Sequence, residues 1–389
     1  MVAGHLQEKK GFFYIVLSYK DAFNKRKTKW IPTGLTVKGN KKKAETKLAE
    51  ARKTFSADGR KAWEQSMLFS DFLVNWLDVV KTTVAPTTFA SYSQIVKSTL
   101  APYFGDKMVM LDDLRPQDIQ RYYLIQLERI KALSVIHYHA VIHKALKYAV
   151  KMDLLETNPA DKVERPKIER FKASFYDCNE MERLFAISKG TLLEVPVLLG
   201  GFYGLRRSEV VGLRWDAIDF AQNTLTINHT VTSYNLNGKR QISAQDSTKT
   251  KSSMRTLPLV PVFREKLLAV QAQQAQFREL CGKCYNETYR DYICVNQMGD
   301  RFSPDYVTQA FPKLLEKHGL RRIRFHDLRH SCASLLLANG VPMKQIQEWL
   351  GHSDFSTTAN IYAHLDYNSK LNSAQAMEQG LCAALSVVS

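Results

Sequence analysis

Acidic residues are scarce in this chain: 38 Asp and Glu face 55 Lys and Arg over 389 residues, a formal charge of +17. The imbalance is concentrated, since residues 1–60 hold 15 Lys or Arg against 5 Asp or Glu. Surfaces that only need to stay soluble usually mix signs, so a basic N-terminal module points to a polyanionic partner bound with steep salt dependence. Long apolar runs are missing as well. No stretch approaches the roughly 18 residues that a membrane helix needs. GFFYIVLSY is too short, and KDAFNKRK follows it without a cleavage-type site, so no signal peptide is expected there. Six cysteines make no disulfide framework in a chain of this length, so a cytoplasmic location is expected. Cys281 and Cys284 form a lone CxxC with Cys294 nearby and no histidine at zinc spacing, and reduced thiols are expected there. Neither a glycine-rich nucleotide loop nor an HExxH motif occurs; no cofactor is expected.

What is present is ordinary globular material, 45% hydrophobic and 11% aromatic, long enough for two or three domains. Residues 1–60 read as a small three-stranded β-sheet plus a helix. GFFYIVLSY and KTKWIPTGL are rich in β-branched and aromatic residues, and KKKAETKLAEARKTF is a good helix former. A sheet can read DNA by lying in a groove, which makes Lys25, Arg26, Lys27, Lys29 and Trp30 candidate contacts. The alternative puts Trp30 in the core and the lysines toward solvent, and the alternation alone does not choose.

Residues 66–160 read as an α-helical bundle. Phe69, Phe72, Leu73, Trp76, Leu77 and Val80 recur at helical spacing behind Ser66 and Ser70 as cap candidates. A second helix enters at Pro86 and closes at Gly105, a third begins near Pro116, and a fourth begins near Ser134. The fourth carries Lys144, Lys147 and Lys151, which either clamp phosphate or form a solvated face. Asn158-Pro159 ends this segment, and the charged, proline-broken DKVERPKIERFKAS marks the best domain boundary. Residues 174–389 then read as a mixed, mostly α domain with a β-hairpin insert. TLTINHTVTS alternates at Leu225, Ile227, His229 and Val231, Asn237-Gly238 is a hairpin turn, and RTLPL supplies another strand. The expected fold class is therefore multidomain and mainly α.

Four short motifs carry the chemistry. GLRRSE holds Arg206 beside a glycine turn at the start of a helix-like run, HDLRH holds His326 and Arg329, LGH holds His352, and NIYAH holds Tyr362. An arginine fork neutralises a phosphate oxygen bidentately, a histidine hydrogen-bonds phosphate or moves a proton near neutral pH, and a tyrosine hydroxyl can attack phosphorus. His326 and Arg329 stand three apart, so one helix face can present both to a single group. His330 reads as a structural hydrogen-bonding residue under the same helix.

Together these residues resemble the tyrosine recombinase (phage integrase) family over nearly the whole chain, most densely at 199–215 and 324–364. The resemblance implies a mostly helical catalytic domain with Arg206 and Arg329 as phosphate-binding arginines, His326 and His352 at the family's histidine positions, and Tyr362 as nucleophile. The family's β-hairpin lysine falls on Lys249, with Lys251 as the alternative. Residues 1–60 and 66–160 resemble the arm-binding and core-binding domains of lambda-type integrases, and the chain is most similar to integrases of conjugative transposons. The implied activity is integration and excision of a mobile element through a 3′-phosphotyrosyl intermediate. The implied partners are double-stranded DNA at core and arm sites, further copies of the chain in a tetramer, an excisionase and a host DNA-bending protein. Leu381, Ala384 and Leu385 would dock on a neighbouring copy or pack in cis. A type IB topoisomerase-like relaxing enzyme and a non-catalytic DNA-binding regulator stand as alternatives.

Overall fold

The basic N-terminal segment folds as an antiparallel sheet in the order β1 (Ala3–Lys9), β2 (Phe12–Lys20) and β3 (Arg26–Thr36). The structure is a computed structural model that describes residues 3–20, 26–54, 67–168, 174–246 and 254–352. α1 (Lys41–Thr54) covers one face, where Leu6, Ile15, Leu17 and Ile31 meet Leu48 and Ala51. Register decides which basic residues share that face. Lys29 pairs with Leu17 and Ile31 with Ile15, whereas Trp30 pairs with Val16 and Arg26 with Lys20. Lys29 therefore sits on the face that α1 covers, and Arg26 and Trp30 belong to the other. Trp30 is 44% exposed, with Lys9 Nζ 5.7 Å from its ring centre, so it is not a core residue. Lys27 pairs with Tyr19 in β3; Lys25 lies outside the described residues.

α2 (Phe69–Val80) buries the expected stripe of Phe69, Phe72, Leu73, Trp76, Leu77 and Val80. The serine cap is not used. Leu68 precedes the helix in an extended conformation, Ser70 is buried in the first turn, and Ser66 lies outside the described residues. A tertiary contact takes over the capping role: the N–H of Phe69 donates to Val109 O at 2.9 Å, beside a β-bridge between Leu68 and Met110. α3 (Pro86–Ile95) runs through a π-helical turn at Val96–Leu100 into α4 (Ala101–Asp106). Pro102 has no N–H to give to an α-helical ladder, and the wider turn accommodates it. α5 (Pro116–Leu127) and α6 (Ala132–Lys151) complete the bundle around Phe104, Tyr122 and Tyr123. Lys144 and Lys147 are exposed on α6, with Lys144 Nζ 5.2 Å from the Tyr92 ring centre.

The remaining elements are α7 (Cys178–Ser188), α8 (Glu194–Gly201), α9 (Arg207–Val210), β4 (Ile218–Asp219), β5 (Thr224–Ile227), β6 (Thr230–Leu236), β7 (Lys239–Gln245), β8 (Arg255–Pro258), α10 (Pro261–Cys281), α11 (Pro304–Lys317), α12 (Asp327–Ala338) and α13 (Met343–Leu350). One sheet has the order β4-β5-β8, and β6 and β7 pair as a hairpin. Asn237 and Gly238 turn that hairpin at φ values of 51° and 75°, the left-handed pair that a type I′ turn requires. The alternation read in TLTINHTVTS survives as buried Leu225, Ile227, His229 and Val231, although the strand breaks at Asn228-His229.

The chain forms two compact units, residues 1–170 with 235–239 and residues 171–234 with 240–389. The charged linker carries the boundary between them. Cys178, Cys281, Cys284, Cys294 and Cys332 are free thiols. Among the described residues no helix is long and apolar enough to cross a membrane, and no group of side chains is arranged to hold a metal ion.

Candidate active site

The glycine in GLRRSE makes a left-handed turn that favours glycine. Gly204 has φ +64°, and a Cβ there would lie 2.4 Å from Leu350 Cδ2. The chain then enters α9 with Arg206 as its N-terminal cap. Glu209 closes a capping box, accepting the Arg206 backbone N–H at 2.9 Å and the Arg206 Nη1 at 2.7 Å. Glu209 is 2% exposed and also accepts Arg255 Nη2 at 3.1 Å and Nη1 at 3.4 Å. Burial pushes the Glu209 carboxyl up, but Arg255 and then Arg206 outweigh burial and hold it below the usual carboxylate range.

α13 supplies the second half of the site. It ends at Gly351 in the left-handed conformation, φ 67° and ψ 49°. The last carbonyls of a helix lack partners within it and carry partial negative charge. Here three successive carbonyls each accept one arginine: Trp349 O from Arg255 Nε at 2.8 Å, Leu350 O from Arg329 Nη2 at 2.6 Å, and Gly351 O from Arg206 Nη2 at 3.1 Å. Arg329 also donates from Nη1 to Gly204 O at 2.7 Å and from Nε to His352 Nε2 at 3.3 Å. It is 2% exposed, and burial with the neighbouring Arg206 charge lowers it to about 9, which leaves it cationic at neutral pH.

Two histidines flank the arginines. His326 stands just before α12, where the buried Asp327 carboxylate fixes the turn by accepting the Arg324 backbone N–H at 2.8 Å and its Nη2 at 2.7 Å. The His326 ring meets His330 edge-on at 5.4 Å. His326 is exposed by surface area, yet desolvation by its surroundings, then His330 and Arg329, push it down to about 4. Desolvation, Arg329 and Arg206 push His352 down to about 3. Both imidazoles are neutral at pH 7, as the acceptor role of His352 Nε2 toward Arg329 requires.

The structure thus brings Arg206, Arg329 and His352 together, with His326 within the electrostatic reach of both arginines. Tyr362, Lys249 and Lys251 lie outside the described residues, as do Leu381, Ala384 and Leu385. Two members of the cluster were not singled out from sequence. Glu209 stands three residues after Arg206, a capping-box spacing that pointed to it; nothing in RTLPL marked Arg255. Three guanidinium groups around one carboxylate leave a surplus of positive charge, which adds to desolvation in lowering Arg329 and both histidines. A phosphodiester anion is the group that would relieve it.

The phage integrase family profile matches residues 176–369, and the profile of the phage integrase N-terminal SAM-like domain matches residues 68–124. A tyrosine recombinase XerC-like protein of Caldanaerobacter subterraneus subsp. tengcongensis is 29% identical over 333 residues, covering 80% of this chain and 83% of that protein. The chain belongs to the phage integrase family of tyrosine recombinases. This recombinase is also similar to the ICEBs1 integrase of Bacillus subtilis, at 25% identity over 88% of this chain and 91% of the relative. Its fold matches the Tn1549 transposon integrase solved with a circular intermediate DNA, at a TM-score of 0.66 and 17% identity over 80% of this chain and all of that one. It also matches a lambda integrase dimer bound to a COC′ core site, at a TM-score of 0.55 and 16% identity over 92% and 93% of the two chains. All four site residues described above, Arg206, His326, Arg329 and His352, lie inside the catalytic match.

Proposed function

We propose that this recombinase integrates and excises a mobile element by cutting and rejoining DNA at specific sites through a 3′-phosphotyrosyl intermediate. The observation that carries this reading is the convergence of Arg206 and Arg329 on adjacent carbonyls at the end of α13, beside neutral His352. In the proposed reaction the two guanidinium groups hold the non-bridging oxygens of the scissile phosphate, and His352 donates a further hydrogen bond to the charge that builds up on them. The Tyr362 oxygen attacks phosphorus, the bond from phosphorus to the 5′-oxygen breaks, and the tyrosine is left esterified to the 3′-phosphate. One proton leaves the tyrosine, with neutral His326 as acceptor. One proton reaches the departing 5′-oxygen, with Lys249 as donor and Lys251 as the alternative. The phosphotyrosyl ester conserves the energy of the broken bond, so a 5′-hydroxyl from another duplex reverses the step without ATP.

Three segments divide the remaining work: residues 1–60 as an arm-type DNA-binding domain, 66–160 as a core-binding domain, and 174–389 as the catalytic domain. Arg26 and Trp30 on the sheet face opposite α1, and Lys144 and Lys147 on α6, are the proposed DNA contacts of the first two. Assembly would be a tetramer holding two duplexes, directed by an excisionase and a host DNA-bending protein. The test is strand exchange between two linear duplexes carrying the junctions that flank the element. Recombinant products support the reading. Relaxation of supercoiled DNA with no exchanged product would replace it with a topoisomerase-like activity, and binding without cutting would replace it with a regulator.

A further inference from the structure

A second polar cluster in the catalytic unit stands apart from the phosphate-binding arginines and surrounds the end of β7. Asp246 follows that strand directly. Its carboxylate accepts His229 Nδ1 at 2.5 Å and Arg214 Nη1 at 3.1 Å. On the far side of the imidazole, His229 Nε2 meets the Tyr292 hydroxyl at 3.1 Å, and Arg214 Nη2 reaches the same hydroxyl at 3.5 Å. Two guanidinium groups cover the Tyr292 ring, Arg214 at 5.3 Å and Arg301 at 4.7 Å from its centre. The hairpin is held again farther along, where Asp305 of α11 accepts Ser233 Oγ at 2.9 Å from β6 and Arg240 Nη2 at 2.6 Å from β7.

This arrangement is poorly explained as a source of stability. The Asp246 side chain is 80% exposed, and ion pairs of that kind add little to folding. His229 is 4% exposed, and burying an imidazole next to cations works against its charged form. Burial lowers His229, while its hydrogen bond and the Arg214 charge lower Asp246. A neutral imidazole donating Nδ1–H to a carboxylate and accepting from a tyrosine hydroxyl satisfies both directions. What the cluster supplies is a fixed place for Asp246, drawn from three separate parts of the chain.

Asp246 stands three residues before Lys249 in the sequence, and three residues span at most about 11 Å. On the other side of that segment, Arg255 of β8 is tied to Glu209 and to Trp349 O inside the phosphate-binding site. Asp246 before the lysine and Arg255 after it are therefore each held in place, and Arg255 belongs to the site that the lysine would serve. We propose that Arg214, His229 and Tyr292 are positioning residues that hold Asp246, and through it set where the lysine general acid is delivered to the departing 5′-oxygen. The inference rests on the lysine role given under the proposed function.

The test uses the full-length chain and nicked suicide duplexes carrying the attachment site from the DNA beside its gene. One set has an ordinary scissile phosphate. The other has sulfur in place of the bridging 5′-oxygen, which leaves without a proton. Asp246→Ala should melt within a few degrees of the wild type, because its side chain is exposed. It should cut the ordinary duplex on the order of 10- to 100-fold more slowly, the effect of a misplaced acid. It should cut the sulfur duplex at close to the wild-type rate, as should Lys249→Ala. The double variant should be no slower than Lys249→Ala alone. Tyr292→Phe, which removes only the hydroxyl that orients His229, should give the same pattern more weakly, and it carries the test if Asp246→Ala does not fold. Equal slowing on both duplexes, wild-type speed on the ordinary one, or losses that multiply in the double variant would overturn the anchor while leaving the lysine role intact. If neither Lys249→Ala nor Lys251→Ala recovers on sulfur, the lysine role itself fails and the anchor falls with it.

Discussion

Replacing Glu209 with Gln should damage both the stability and the chemistry of this recombinase, and a second substitution should separate the two. Glu209 and Arg255 form a buried pair, with side chains 2% and 6% exposed and 3.1 Å between Oε2 and Nη2. Glu209→Gln keeps the shape but takes from the buried Arg255 the carboxylate charge it pairs with here. Breaking such a pair costs about 3–5 kcal/mol. For a unit of roughly 200 residues, at about 2–4 °C per kcal/mol, melting falls by about 6–20 °C. Arg206 loses its 2.7 Å ion pair in the same change and keeps Gly351 O as its remaining acceptor described above. A guanidinium displaced by about 1 Å lowers cleavage on the order of 100-fold. Adding Arg255→Met removes the cation that Glu209 balances, and well-packed apolar replacements of buried pairs are often neutral. The double variant should therefore melt well above Glu209→Gln yet cut DNA no faster, since Arg206 is still unpaired. Thermal unfolding and suicide-duplex cleavage measured on the same preparations decide it. If Glu209→Gln melts like the wild type, or if the double variant regains cleavage along with melting, the positioning role assigned to Glu209 is wrong.

Other consequences follow from the same geometry. Arg329→Lys puts one ammonium where a fork now serves Gly204 O, Leu350 O and His352, and single-turnover cleavage should fall on the order of 10²–10³-fold; a loss under tenfold would contradict the bidentate reading. His326 and His352 are depressed to about 4 and about 3 in the folded chain, against roughly 6.5 when unfolded. The unfolded state then binds more protons on acidification. Denaturant unfolding should show stability complete above pH ~6.5 and declining toward pH ~4, with a shallower decline in His352→Asn. A bound phosphate should raise both histidines, so calorimetry in two buffers near pH ~6 should find proton uptake on DNA binding, and proton release would refute that. Deleting residues 1–57 should weaken binding to distal sites and flatten its salt dependence, while cleavage at an isolated core site stays unchanged.

Helices with a full apolar stripe were legible from sequence, because burial alone decides them: α2 occupies the predicted stripe residue for residue. The hairpin turn was equally legible, since Asn237-Gly238 suits left-handed backbone that few other pairs accept. Ends and edges were not. Ser70 looks like a cap, but the first N–H of α2 is taken by Val109, forty residues away. β1 has little strand propensity in AGHLQEK, and it is a strand because β2 pairs with it. Within the site, the motif arginines and histidines stood out because each lies in a short signature. Their partners from distant sequence did not: Arg255 reaches Glu209 across 46 positions, and in the separate cluster Asp246 meets His229 from 17 away. Single positions in GLRRSE or HDLRH stand out by residue type, whereas their partners come from pairings that only the folded chain assembles.

The most direct measurement mixes the full chain with nicked suicide duplexes cut from the DNA flanking its own gene, adds EDTA, and separates the products on a denaturing gel. The account predicts a slower band of protein joined to DNA that survives SDS, and that disappears in Tyr362→Phe while binding to the same duplexes persists. Tight binding with no such band in the wild type, or a band undiminished in Tyr362→Phe, would contradict tyrosine-mediated cleavage at this residue.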